Sequence, residues 1–157
     1  MDTTIDNDMP EVSSRLFTVK NLALLFVVAG LIISGYLSYA KLFSAQTVCL
    51  DDAQFSCGLV QNSLYSELFG IPVAYLGFGL YCLIGLTLLF EHSVGFLVEY
   101  GRLLLFGMGI VGWVFSMWLV YVQGAILGMW CQWCLAHEFN FTLLFGAILY
   151  LLWDDWQ

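Results

Sequence analysis

Positive charge is nearly missing from this chain of 157 residues: four lysines and arginines stand against twelve aspartates and glutamates, a net charge of −8. Binding to nucleic acid, or docking on anionic lipid through a basic patch, needs clustered lysine and arginine, so the balance argues against both. Charge of either sign is scarce, at 10% of residues, while hydrophobic residues reach 61%, aromatics 17%, and the mean hydropathy is +0.88. That composition lies far outside the range of a soluble globular chain and assigns this one to a membrane.

The uncharged stretches show how it crosses. Runs free of charge cover Leu22–Ala40, Ile71–Phe90 and Leu103–Val122, and a fourth, Leu143–Trp153, extends back through His137 and Glu138 to Cys131. About 20 residues at ~1.5 Å each span a hydrocarbon core of ~30 Å. The expected fold is therefore all-α, an integral membrane four-helix bundle. Residues 1–20 form a polar cytoplasmic tail, 21–153 the membrane domain and 154–157 a short acidic tail. No room is left for a soluble catalytic module, so any chemistry must sit on helix ends and short loops. Ser38-Tyr39-Ala40 loosely resembles a signal-peptidase site, but the preceding "MDTTIDNDMPEVSSR" is long and acidic where a signal peptide is short and basic. An uncleaved first helix behind a disordered tail is expected.

Of the basic residues, Arg15, Lys20 and Arg102 lie before the first span or between the second and third, and Lys41 lies after the first. With four spans these two regions share a side, and the positive-inside bias places them, with both termini, in the cytoplasm. The loops 42–70 and 123–130 then face outward, and so do Cys49, Cys57, Cys131 and Cys134. Cys82 alone falls mid-membrane, as a small core residue.

Outside the cytoplasm thiols are driven to disulfides, and four cysteines on one face make two pairs, with three pairings open. The stretch "MWCQWCLAHE" sets Cys131 and Cys134 two residues apart at a helix start, where backbone N–H groups and the dipole favour a thiolate. That position and spacing suit redox chemistry. A zinc site is the weaker reading, because Cys49 and Cys57 stand seven residues apart instead of in a tight knuckle, and no metal is expected. Purely structural disulfides that brace the outer loop remain the main alternative.

Gly107-Met108-Gly109-Ile110-Val111-Gly112 satisfies GxGxxG but lies inside a membrane run with no preceding strand, so it cannot cradle a pyrophosphate. Its glycines read as close helix contacts, as do Gly77, Gly85 and the Gly124-x-x-x-Gly128 pair. Asn140-Phe141-Thr142 matches a glycosylation sequon within the fourth helix and is expected unmodified. In the first outer loop, Leu59, Val60, Leu64 and Leu68 recur at helical spacing before Gly70 and Pro72. A short amphipathic interfacial helix is expected there, lying as a lid beside the CxxC.

The order of these motifs resembles the vitamin K epoxide reductase family, particularly its bacterial members, over roughly residues 20–153. The features are a spaced cysteine pair, then Asn62-Ser63-Leu64-Tyr65-Ser66 and Gly70-Ile71-Pro72-Val73-Ala74, then a CxxC opening the fourth span. The DsbB family performs similar chemistry with its CxxC and spaced pair in the reverse order. The resemblance implies a bundle around a quinone, ubiquinone or menaquinone, in a bacterial inner membrane with the cysteine loops periplasmic. Electrons would pass from a thioredoxin-like, DsbA-like partner to Cys49 and Cys57, then to Cys131 and Cys134, and from Cys134 to the quinone. Cys134 lies ~4.5 Å deeper than Cys131 and is better placed to meet it. Ser63 would bond near the quinone or position the loop, while Leu59, Phe69, Trp130 and Trp133 would line the ring pocket, Trp being equally expected as an interfacial belt residue.

Many bacterial relatives fuse a thioredoxin-like domain after the last span, and the chain stops at Gln157, so a separate partner is expected. Vertebrate members carry tyrosine four residues past the CxxC, where Glu138 stands here, and vitamin K epoxide reduction is not expected. His137 and Glu138, ionisable within the membrane, are candidates for proton delivery to the quinone or for capping helix contacts. The alternative from another class is a non-enzymatic membrane structural or transporter subunit with disulfide-braced outer loops.

Overall fold

A computed structural model describes residues 9–44, 47–49, 54–91 and 93–154. Among the described residues there are five α-helices: α1 (Met9–Leu42), α2 (Cys57–Gln61), α3 (Val73–Phe90), α4 (Gly95–Tyr121) and α5 (Gln132–Asp154). Four of them contain stretches long and apolar enough to cross a membrane, Phe17–Leu42, Val73–Phe90, Gly95–Leu127 and Gln132–Trp153. The spans agree with the uncharged runs, and the helices overrun them because polar residues are tolerated at helix ends once they leave the hydrocarbon. The tail expected to be disordered is helical from Met9 onward, and residues 1–8 lie outside the described residues.

In the bundle α1 packs on α3 and α5, α4 packs on α5, and α3 packs more lightly on α4. The core between them is Ala23, Val27, Tyr81, Ile84, Leu88, Leu105, Phe141, Leu144 and Ile148. Close approach uses glycine where a side chain crosses. A Cβ at Gly112 would stand 2.5 Å from the Phe141 ring, one at Gly109 2.6 Å from Phe145, and one at Gly85 3.0 Å from Val27. Gly30, unnoticed in sequence, makes room for Tyr81 in the same way. Two glycines depart from the expected role. Gly107 faces open space, and Gly128 ends a π-helical turn (Val122–Leu127) at φ +61°, a conformation that glycine adopts without strain.

Buried polar groups tie the ends of the bundle. Glu91, at the end of α3, pairs with Lys20 of α1 at 2.6 Å and with Arg102 of α4 at 3.6 Å, and Arg102 also donates to the Leu151 carbonyl of α5 at 2.9 Å. Lys20 and Arg102 therefore share one face of the bundle, as four spans require. Mid-bundle, the Asn140 amide donates to the Phe26 carbonyl at 2.9 Å and to the Tyr81 hydroxyl at 3.0 Å. The sequon asparagine thus clamps three helices together.

The lid differs from the single helix expected. Helix α2 stops at Gln61, a 3-10 turn follows (Leu64–Ser66), and two short antiparallel strands, β1 (Glu67–Leu68) and β2 (Ile71–Pro72), close a hairpin. Ser63 ends α2 by donating its hydroxyl to the Val60 carbonyl at 2.8 Å. Phe69 and Gly70 occupy the hairpin tip at φ +54° and +81°, and a two-residue hairpin turn with both φ positive matches the twist of its strands. Of the apolar residues at helical spacing, Val60 alone is buried, whereas Leu64 is 94% exposed.

Candidate functional site

The four outer cysteines meet at one end of the bundle. Cys57 and Cys131 are fully buried together with Val60, and Cys49, Cys134, Leu127, Met129 and Trp133 pack around them. Cys49 and Cys57 are joined as a disulfide, while Cys131 and Cys134 are free thiols. Of the pairings open in sequence, the short-range one in the loop is the one formed. Cys82, the remaining free thiol, lies on α3 away from this cluster.

Backbone bonds align the two pairs. The Trp130 N–H donates to the Gln54 carbonyl at 2.9 Å and the Ser56 N–H to the Trp130 carbonyl at 3.0 Å, so the residues just before Cys57 are zipped to those just before Cys131. The segment leading to Cys49 is held from the other side. Both residues between the CxxC cysteines, Gln132 and Trp133, donate side-chain N–H groups to the Val48 carbonyl, at 3.2 and 2.7 Å. Tyr36 on α1 packs its ring at a tilt against Trp133 and accepts the Val48 N–H at 3.1 Å.

Cys131 immediately precedes α5 and occupies its N-cap. Its Sγ accepts the Cys134 N–H at 3.4 Å, the bond that a capping oxygen makes to the third helical residue, and its own N–H is held by Gln123 Oε1 at 3.0 Å. Gln61, ending α2, directs its side-chain amide at the same sulfur from 4.0 Å. Hydrogen bonding from the Cys134 thiol, helped by these N–H groups and opposed by burial, lowers the Cys131 thiol to about 7 from an ordinary 9.0. The helix end therefore favours the thiolate at Cys131, and the Cys134 N–H is already engaged in doing so.

A cavity of about 390 Å³ opens beneath the lid, within the ~300–1,000 Å³ of small-molecule sites. Cys134, Ser63, His137 and Glu138 line it, together with Lys41, Gln61, Tyr65, Ser66, Tyr81, Ser116 and Gln123. Most of the wall is apolar, from Leu37, Leu76, Leu80, Phe115, Leu119 and Phe141 among others. A mostly apolar cavity with some polar groups on its wall suits a weakly polar small molecule. Cys134 borders this space and Cys131 does not.

Four residues expected to line a ring pocket stand elsewhere. Trp130 packs over Gly124, Trp133 brackets the Cys49 segment, Leu59 borders a separate surface pocket, and Phe69 projects from the hairpin at 96% exposure. Three site residues went unnoticed in sequence: Lys41, whose Nζ donates to the Gln61 carbonyl at 2.9 Å and pairs with Glu67 at 3.5 Å, and the glutamines Gln61 and Gln123 around Cys131. A glutamine that is 3% exposed inside an otherwise apolar run is a signal that could have been read. Four membrane spans, a bonded cysteine pair and a CxxC in one buried cluster and an apolar cavity at Cys134 all suit membrane redox chemistry. Residues 21–149 match the profile of the Vitamin K epoxide reductase family, and the chain belongs to that family of membrane oxidoreductases.

Proposed function

We propose that this protein reoxidises a soluble, thioredoxin-like (DsbA-like) dithiol oxidase and passes the electrons to a membrane quinone, ubiquinone or menaquinone, in support of disulfide formation. The observation that carries this reading is the packing of both cysteine pairs in one cluster around the buried Cys57 and Cys131, with Cys134 at the cavity. The partner's thiolate attacks Cys49, the less buried of its pair, and Cys57 leaves. Cys57 then attacks Cys131 in a Cys131–Cys134 disulfide and releases Cys134. The partner's second thiol attacks the mixed disulfide, so the partner leaves oxidised and Cys49 is freed; Cys49 then attacks Cys57 of the Cys57–Cys131 bond, and Cys131 departs as a thiolate. A leaving thiol with a pKa near 7 makes that departure fast. These exchanges leave the loop pair bonded and the CxxC reduced, ready to pass two electrons on.

A bound quinone accepts two electrons and two protons. The apolar wall that includes Leu80, Phe115 and Phe141 would hold such a ring away from water, and Cys134 and Ser63, on the same lining, would meet it. The cysteine end faces the periplasm of a bacterial inner membrane. Residues 1–20, 154–157 and the Lys20–Glu91–Arg102 cluster face the cytoplasm.

The test is coupled turnover by purified protein with a reduced DsbA-like donor and a short-chain ubiquinone or menaquinone. Partner oxidation and quinone reduction should proceed in equal amounts. Cys49→Ala should abolish the reaction driven by the protein donor while leaving part of that driven by a small dithiol. Absence of any quinone reduction with all disulfides intact would instead indicate a subunit whose bridges only brace its loops.

A further inference from the structure

The inner part of the cavity carries groups that thiol exchange leaves unused. Helix α5 lines it with Cys134, His137, Glu138 and Phe141, the i, i+3, i+4, i+7 spacing that stacks side chains along one face. The Glu138 side chain is 7% exposed; Oε1 lies 3.6 Å from His137 Nδ1, and Oε2 is buried with no hydrogen-bond partner. A carboxyl oxygen left so is expensive, so mere packing does not account for it. Asn140, two residues further on, shows what a structural polar group looks like here, with both its contacts satisfied. His137 is oriented by rings: its edge meets Tyr81 at 5.4 Å and its face lies parallel to Phe141 at 6.4 Å. Gly77 leaves its Nε2 room, since a Cβ there would stand 3.3 Å away.

We infer that Glu138 and His137 form a proton-transfer pair, which takes the protons lost by the CxxC dithiol and delivers them to the oxygens of a quinone held beside Cys134. This rests on the quinone reading above and adds the residues that carry its protons. In balance, two thiols form one S–S bond and release two electrons and two protons. The quinone takes both pairs and becomes a hydroquinone. Carboxyl and imidazole end as they began, so no further reactant is needed. The other titratable groups on the cavity are Lys41 from α1, Tyr65 from the lid and Tyr81 from α3, while α4 contributes none. Lys41 is engaged with Gln61 and Glu67, and Tyr81 with Asn140. Glu138, on the cavity wall, is the one of these with a buried oxygen left without a partner.

The experiment compares wild type, Glu138→Gln and His137→Gln in phospholipid vesicles with dithiothreitol as donor and a short-chain ubiquinone as acceptor. Two quantities are read: single-turnover dithiol oxidation without quinone, and steady-state quinone reduction from about pH 6 to about pH 8, the range in which a positioned acid or base outperforms bulk water. Both variants should complete the single turnover at the wild-type rate. Glu138→Gln should lose ~100-fold or more in quinone reduction at the alkaline end and less at the acid end, where hydronium substitutes for the missing donor. His137→Gln should fall in the same direction. A wild-type rate and pH profile in Glu138→Gln would overturn the inference, as would equal loss of both reactions. A wild type that completes the single turnover but never reduces quinone would instead remove the quinone reading, and this inference with it.

Discussion

Replacing Cys134 with alanine tests whether the sulfur at the N-cap of α5 is the stabilised thiolate. The Cys131 pKa is held at about 7 instead of 9.0 chiefly by the Cys134 thiol, with backbone N–H groups and Gln61 assisting against burial. At ~1.4 kcal/mol per unit, that difference corresponds to about 3 kcal/mol of preference for the charged form. The folded-state value is lowered, so the thiolate gains above about pH 7 and is lost below it. With a midpoint of about 7, half of Cys131 is ionised at neutrality; with the midpoint returned to 9.0, ~1% is. Cys134→Ala should therefore cut the thiolate population at neutral pH by up to ~50-fold. The more basic thiolate is intrinsically more reactive, by ~8-fold over two units at a Brønsted slope of ~0.45, so attack by Cys131 on a small disulfide should slow by ~6-fold. The midpoint is read from ultraviolet thiolate absorbance in fully reduced protein, as the difference from the Cys131→Ser variant. A wild-type midpoint near that of an ordinary thiol would refute the capping argument. One that stayed near 7 in Cys134→Ala would move the stabilisation to the backbone and Gln61.

Three further outcomes can be checked. After reduction, a membrane-impermeant maleimide outside intact cells should label Cys49 quickly and the fully buried Cys57 slowly; labelling only after the membrane is opened would invert the topology. Asn140→Leu strands the Tyr81 hydroxyl inside the bundle and removes the bond to Phe26, which should cost ~1–3 kcal/mol and lower the Tm in detergent, and an unchanged Tm would mean the clamp carries no weight. Adding quinone to Cys131→Ser should produce a visible charge-transfer band at alkaline pH, where the Cys134 thiol at the cavity can ionise, whereas Cys134→Ser should give none, because Cys131 does not border that space.

The spans were legible because hydropathy along a chain needs no knowledge of contacts, and the common face of the four cysteines followed from counting crossings. Which cysteine gains from the helix end was not legible. The fourth uncharged run reaches back to Cys131, so the sequence suggests a helix start near the CxxC but not its register. One residue decides the chemistry: with Gln132 as the first helical residue, Cys131 is the cap and Cys134 is its donor. The role of Trp133 was hidden for a related reason. A tryptophan beside a membrane reads equally as belt, pocket wall or bracket, and the Val48 carbonyl that settles the matter lies 85 residues away.

The lid failed for a deeper cause. In water an apolar residue at helical spacing reports a buried stripe, because exposing it has a cost. At a bilayer surface that cost vanishes, so Leu59, Leu64 and Phe69 can point outward and the period loses its meaning. Local chemistry then decides. The Ser63 hydroxyl ends α2, and Phe69-Gly70 takes the positive φ values that turn the hairpin. Polar residues keep their diagnostic force in lipid and gain some, since an unsatisfied amide or carboxyl has no water to turn to. Gln123, Asn140 and Glu138 are each less than 10% exposed within apolar runs. The first holds Cys131, the second clamps three helices, and the third, on the cavity wall, has a buried oxygen without a partner.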